Sequence, residues 1–216
     1  MLNDIRDAQL ETKAKALYSD ELPYHNFSHI LDTLNSAGII LTRCARENIR
    51  IDARVVYFAL LFHDAGYHED HVAKGYKNKE LYSVKLAQET LREQGLSASL
   101  LGKVSKAILA TERNASFVSA EHKAVRAADL SGLAAEYERF LESSIKLKRE
   151  HGYLNQQPIS WPRWQSVSRE VIGFYLSQEI RLTSYFHDEN GESPYHKAVR
   201  QNLARLLSEP REPRIN

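Results

Sequence analysis

Cysteine is almost missing from this chain: Cys44 stands alone among 216 residues. One thiol closes no internal disulfide, so no disulfide framework holds the fold and a reducing compartment is tolerated. Proline and glycine are sparse as well, at six and nine residues. No low-complexity stretch, internal repeat or clear domain linker interrupts the chain. Charge of one sign is also lacking. Twenty-nine basic residues face 28 acidic ones, for a formal net charge of +1. That balance removes the basic excess that a nucleic-acid footprint needs and the like-charge blocks of disordered tails. Long apolar runs are absent too. The longest, Val55 to Phe62 (VVYFALLF), is far too short to cross a bilayer. The N-terminal stretch MLNDIRDAQLETKAKAL is charged from Asp4 onward, unlike a secretory signal. A cytoplasmic protein, with neither nucleic acid nor membrane as partner, is the expectation.

What remains is helical. Hydrophobic residues make up 43% of the chain, enough for a sizeable core. Apolar residues recur at three- and four-residue spacing over residues 4–19 and 30–47. Residues 52–64 are apolar on nearly every face, which predicts a buried helix. Residues 79–94 form an amphipathic stretch that stops at Gly95. Further helices are predicted over 97–112, 120–130, 133–150, 163–182 and 194–208, with loops at 66–79 and 152–162. No alternating strand pattern stands out. The reading is an all-α bundle, one domain over residues 1–216, with the C-terminal helices (about 160–208) packed on the core.

Histidine is concentrated: five of the nine fall between positions 25 and 71. In FHDAGY, His63 and Asp64 end the all-apolar helix. A carboxylate beside an imidazole there is costly unless it is paired or metal-bound. The bland alternative is a core histidine followed by an aspartate that caps a turn. In PYHNFSHI, His25 and His29 are four residues apart and would share a face of a helix whose start is marked by Pro23 and Asn26. Such pairs are often surface or capping residues. In VRAADLSGLA, Asp129 sits among small and apolar neighbours, with an N-cap for a helix near Ser131 as its plainer role. Together they form the series His, His-Asp, Asp. Two imidazoles and two carboxylates suit Mn, Fe, Co or Ni and hold Mg weakly. Water bound to such an ion becomes a nucleophile near neutral pH.

The order His29, His63-Asp64, Asp129 resembles the HD superfamily of metal-dependent phosphohydrolases. It is most similar to the branch described as predicted HD phosphohydrolases. The segments that carry the likeness are YHNFSHI (24–30), FHDAGY (62–67), NKE (78–80), ADL (128–130), KRE (148–150) and AVRQNL (198–203). The likeness runs from about residue 22 to 208. It implies an HD-domain helical bundle and a phosphohydrolase acting on a nucleotide or other small phosphoester, with metal-activated water as nucleophile. It implies His29, His63, Asp64 and Asp129 as metal ligands, and His25 as the proton donor to the leaving oxygen. Glu80 would orient a water, while Arg149 and Lys79 would bind the substrate phosphate. The segment ILATERNA (108–115) lacks the extra histidine of multi-metal relatives; Thr111, Glu112 and Asn114 stand there, and His122 comes only later. One tightly bound divalent ion is therefore expected. Glu69 and Asp70 lie too far from His63 to match the acidic pair of guanosine-tetraphosphate hydrolases. Two alternatives stay open: a catalytically silent nucleotide-binding or sensor module, and a di-iron oxygenase. A small phosphorylated substrate is the expected partner, and a homodimer is allowed.

Overall fold

Helix starts in this chain are written by short polar side chains. Asp7, Asn26, Asp52, Asn78 and Ser97 each accept a hydrogen bond from a backbone N–H of the first turn that follows. Those N–H groups have no partner within the helix, so each cap stabilises its helix by about 1 kcal/mol. The computed structural model describes residues 2–188, 190 and 192–214. It is all-α, with nine helices and no strand among the described residues. The chain divides into two compact units, Met1–Asp129 and Leu130–Asn216.

The first unit holds α1 (Ala8–Lys15), α2 (Phe27–Arg46), α3 (Ala53–Phe62), α4 (Lys79–Glu93), α5 (Ala98–Leu109) and α6 (Ala120–Asp129). Helix α3 is its axis. It packs against all five of the others. This follows from its sequence: with no polar stripe, every face gains by being covered. Val55, Val56, Tyr57, Ala59, Leu60, Leu61 and Phe62 are buried. Phe58, expected to be buried with them, is only half-buried.

The first predicted helix, 4–19, is shorter than its periodicity suggested. A 3-10 turn spans Asn3–Ile5, Arg6 is extended, and α1 begins after Asp7. Asp7 is the reason: its Oδ1 accepts from the backbone N–H groups of Gln9 and Leu10, at 2.8 and 3.0 Å. That side-chain contact fixes a helix start and interrupts any continuous helix through it. The predicted loop 66–79 runs from Gly66 to the α4 cap Asn78. Gly66 has φ of +71°, and a Cβ there would lie 2.5 Å from Tyr82 Cε1. Glycine alone satisfies both demands. The Gly66 N–H donates to Leu17 O at 2.9 Å, tying the turn to the end of the first helix.

The second unit holds a 3-10 helix (Leu130–Ala134), α7 (Tyr137–Leu154), α8 (Trp161–Ser177) and α9 (Pro194–Ser208). Helix α7 runs four residues beyond the predicted end at 150, and the following loop is correspondingly shorter. Trp164 Nε1 donates to Ser144 Oγ at 2.9 Å, and Asn202 Nδ2 donates to Leu133 O and Ala135 O at 2.9 and 2.8 Å. Both are buried polar side chains whose partners justify their burial.

Candidate metal centre

Three segments of the first unit deliver four side chains to one point. Asn26 caps α2, which places His29 in the first turn with its ring facing inward. Helix α3 ends at Phe62; His63 follows as its C-cap and Asp64 lies in the next turn. Asp129 is the last residue of α6. One ligand atom from each of His29, His63, Asp64 and Asp129 lies within 4.8 Å of those of the other three. His29 Nε2 is 3.7 Å from Asp64 Oδ2 and 3.5 Å from Asp129 Oδ1. His63 Nε2 is 3.1 Å from Asp64 Oδ2 and 3.4 Å from Asp129 Oδ1. His63 and Asp64 are almost wholly shielded from solvent, and His29 nearly so.

The two ring nitrogens of His63 have different fates. Nδ1 lies 2.9 Å from Leu60 O. A carbonyl can only accept, so Nδ1 carries the proton. This is the outer contact that orients a ligating imidazole and leaves Nε2 as the donor atom. Nε2 is buried and makes no hydrogen bond. A buried polar atom without a partner is a rare cost in a folded protein. An orphaned nitrogen facing two carboxylates and a second imidazole fits a divalent ion of the nitrogen- and oxygen-liking class.

The electrostatics agree. Burial opposes a charged His63 ring, but the negative charge of Asp64 and the close approach of Asp129 outweigh it, raising its pKa to about 10. Burial also opposes charge on Asp64. The positive charges of His63 and Lys79 overcome this and hold its carboxyl well below the usual range. Asp129 is likewise lowered: burial resists, while contacts with His29 and His63 prevail. In the absence of an ion, protons and Lys79 carry the positive charge that two buried carboxylates demand.

The other residues singled out in the sequence divide into those beside the cluster and those apart from it. Lys79, the first residue of α4, reaches Asp64 Oδ1 at 2.8 Å and Glu80 Oε1 at 3.3 Å. Asp64 therefore turns one oxygen to lysine and the other to the histidines. The Lys79 ammonium also lies 4.9 Å from the centre of the Tyr67 ring. Glu80 is buried beside it. His25 does not share a helix face with His29, because it precedes the Asn26 cap and lies outside α2. Its ring centre is nevertheless 5.8 Å from that of His29, and it stacks on Tyr67 at 4.0 Å with 13° between the planes. Arg149 is exposed on α7, in the second unit. Thr111 is buried and donates to Ile108 O at 2.8 Å, while Asn114 is exposed and His122 half-exposed. None of the three joins the cluster. Glu69 bonds with Lys74 at 2.8 Å in the loop.

Three tyrosines near the cluster went unremarked in the sequence. Tyr24 lies 4.7 Å from the His29 ring, and Tyr67 supports His25. Half-buried Tyr18 donates to Leu61 O at 2.8 Å, and desolvation together with the nearby Asp64 charge raises its pKa well above the usual value. The first two were visible as neighbours in YHN and HDAGY. Tyr18, 45 positions before His63 in the chain, carried no local signal.

Arg126 was missed as well. It is fully buried, and its terminal nitrogens donate to Thr111 O at 2.7 Å, Glu112 O at 2.9 Å and Arg113 O at 3.1 Å. These carbonyls lie in the turn just past Ala110, the C-cap of α5, close to the end of the helix that favours a cation. The contact ties that end to α6, three residues before Asp129. No helix among the described residues is long and apolar enough to cross a membrane. No family model matches the chain, and no curated protein matches it either.

Proposed function

We propose that this chain is a metal-dependent phosphohydrolase of the HD type, acting on a nucleotide or another small phosphoester. The observation that carries the reading is the convergence of His29, His63, Asp64 and Asp129, with His63 Nε2 buried and without a hydrogen bond. The order of these four residues along the chain, and their likeness to HD phosphohydrolases, support the same reading. A divalent ion held there supplies an acidified water as nucleophile and positive charge for the phosphoryl oxygens.

The surrounding residues have work suited to this reaction. Leu60 O holds the His63 tautomer, and Lys79 Nζ holds one Asp64 oxygen so that the other faces inward. The Lys79 side chain stays about one-third exposed, so it can also meet a substrate phosphate. His25 stands beside the ligand cluster, half-exposed and braced by Tyr67. In this reading it gives a proton to the leaving oxygen. Glu80, paired with Lys79 at 3.3 Å, is the carboxylate that would orient a water in this reading. A buried single cysteine is compatible with a cytoplasmic setting.

The test is an activity screen of the protein loaded with Mn, Co, Ni, Fe or Mg against nucleotides and simple phosphoesters. Hydrolysis that depends on the ion and is lost in Asp129→Ala is expected. A chain that binds no ion, or binds two irons and consumes oxygen, would overturn the reading.

A further inference from the structure

The outward face of α2 carries a pattern unrelated to the His/Asp cluster. Ile39 is 58% exposed at its middle. Asp32 and Asn35 precede it and Arg43 and Arg46 follow it, at successive spacings of three, four, four and three residues. At 100° per residue these five side chains share one stripe of the helix. The stripe reads the same from either end in spacing, and its two outermost residues, Asp32 and Arg46, are opposite in charge. Asp32, Asn35 and Arg46 are exposed and Arg43 half-exposed. A groove of about 540 Å³ lies along the stripe, floored by Leu2 and Leu34 and rimmed by Ile39 and Arg46. Gly38 opens one wall: a Cβ added there would meet nothing within 4 Å.

A single exposed isoleucine is ordinary on a protein surface. Its position at the centre of a charge-complementary, palindromic stripe is what selects an occupant. We infer that this face of α2 pairs antiparallel with α2 of a second copy of the chain, with Ile39 on the twofold axis. A twofold contact uses the same surface on both copies, so the surface must complement itself. With Ile39 against Ile39, Asp32 faces Arg46 of the second copy and Asn35 faces its Arg43. Each pairing occurs twice by symmetry. The groove flanks the pairing, on the side of the helix that Gly38 leaves open. A parallel pairing sets Asp32 against Asp32 and Arg46 against Arg46, which like-charge repulsion disfavours. Helix α2 is about 30 Å long, enough for the whole stripe to engage. This pairing stands apart from the proposed phosphohydrolase activity, and neither depends on the other.

Sedimentation velocity on the full chain, over a range of concentrations, tests it. A concentration-dependent dimer is expected, and Ile39→Asp should make it monomeric while leaving the helical circular dichroism unchanged. Asp32→Arg and Arg46→Asp should each weaken association about tenfold by replacing attraction with repulsion. The double variant, with the charges exchanged, should recover it. In Ile39→Cys, mild oxidation should link two chains through residue 39, because side chains on the axis lie within disulfide reach; Cys44 is buried and does not compete. A chain monomeric at every concentration overturns the inference. So does a dimer indifferent to Ile39→Asp, a double variant no better than the singles, or an Ile39→Cys chain that fails to cross-link.

Discussion

Arg126 and His63 are both fully buried in the first unit, and both carry or can carry positive charge. Their surroundings differ in kind. Arg126 meets three backbone carbonyls within hydrogen-bond range at the end of α5. Neutral dipoles answer its charge through both terminal nitrogens. His63 faces two carboxylates and another imidazole, with Nε2 bonded to none of them. Dipoles satisfied in place describe scaffold. Charged groups that converge without satisfying one another describe a place for a ligand. Charge burial alone would not separate the two; the groups each one faces do, neutral carbonyls for Arg126 and converging carboxylates for His63.

Substitution should break the two regions differently. Asp129→Ala should bring metal content, read by elemental analysis, to background. Hydrolysis should then fall on the order of 10³-fold or more, since the nucleophile is lost with the ion. Arg126→Met should do the reverse. Leaving the α5 carbonyls without their donor should cost about 3 kcal/mol in urea unfolding, while metal per folded chain stays near normal. If Asp129→Ala destabilises the metal-free chain as much as Arg126→Met does, the division between scaffold and ligand site collapses.

His25 sharpens the boundary of the open region. His25→Ala should keep its metal and lose about 10²-fold in turnover on substrates with poor leaving groups, within the usual range for a proton donor. A nitrophenyl ester, which needs little protonation, should be hydrolysed at closer to the normal rate. Loss of metal in this variant would make His25 a ligand instead.

Gly66 tests the turn that follows Asp64. Gly66→Ala sets a Cβ against Tyr82 at a left-handed φ and should cost about 2 kcal/mol of stability, measured by thermal or urea unfolding.

The smallest effect is graded by pH. In the metal-free chain the His63 pKa is raised from 6.5 to about 10. Its contribution to stability is thus fully present below about pH 6.5 and is lost as pH rises through about 10. An ion must displace that proton from Nε2. Between neutral pH and about 10, metal affinity should rise roughly tenfold per pH unit. Calorimetry in buffers of different ionisation enthalpy should show one proton released per ion. Affinity independent of pH would mean that His63 is not a ligand.

Much of this architecture is local and therefore legible in one dimension. An apolar run with no polar stripe had to be covered, and α3 is, with Phe58 alone of its apolar run left half-buried. Helix α9 spans 194–208 as its periodicity predicts, because Ser193 caps it and Pro194 opens it. A boundary failed where a short polar side chain redirected the backbone, as Asp7 does before α1; Asn26 caps α2 as expected, but in doing so it leaves His25 off the helix that carries His29. The phase of a helical pattern is blind to such caps when the apolar spacing continues through them.

The donor types of the site, and their order, were set by the sequence: imidazoles and carboxylates flanking an all-apolar helix restrict what can be held at its end. Which atoms face one another was decided only by folding. His63 and Asp129 are 66 positions apart, and their 3.4 Å approach exists because α3 and α6 pack together. Lys79 meets Asp64 because the turn at Gly66 and the loop after it return the chain to the end of α3. Tyr18 and Arg126 are the strongest cases. Each acts through backbone carbonyls, Leu61 O for one and the end of α5 for the other, and every residue in a chain has a carbonyl. Side-chain chemistry can be read along a sequence, but a backbone acceptor becomes specific only when tertiary packing brings one particular carbonyl to the donor.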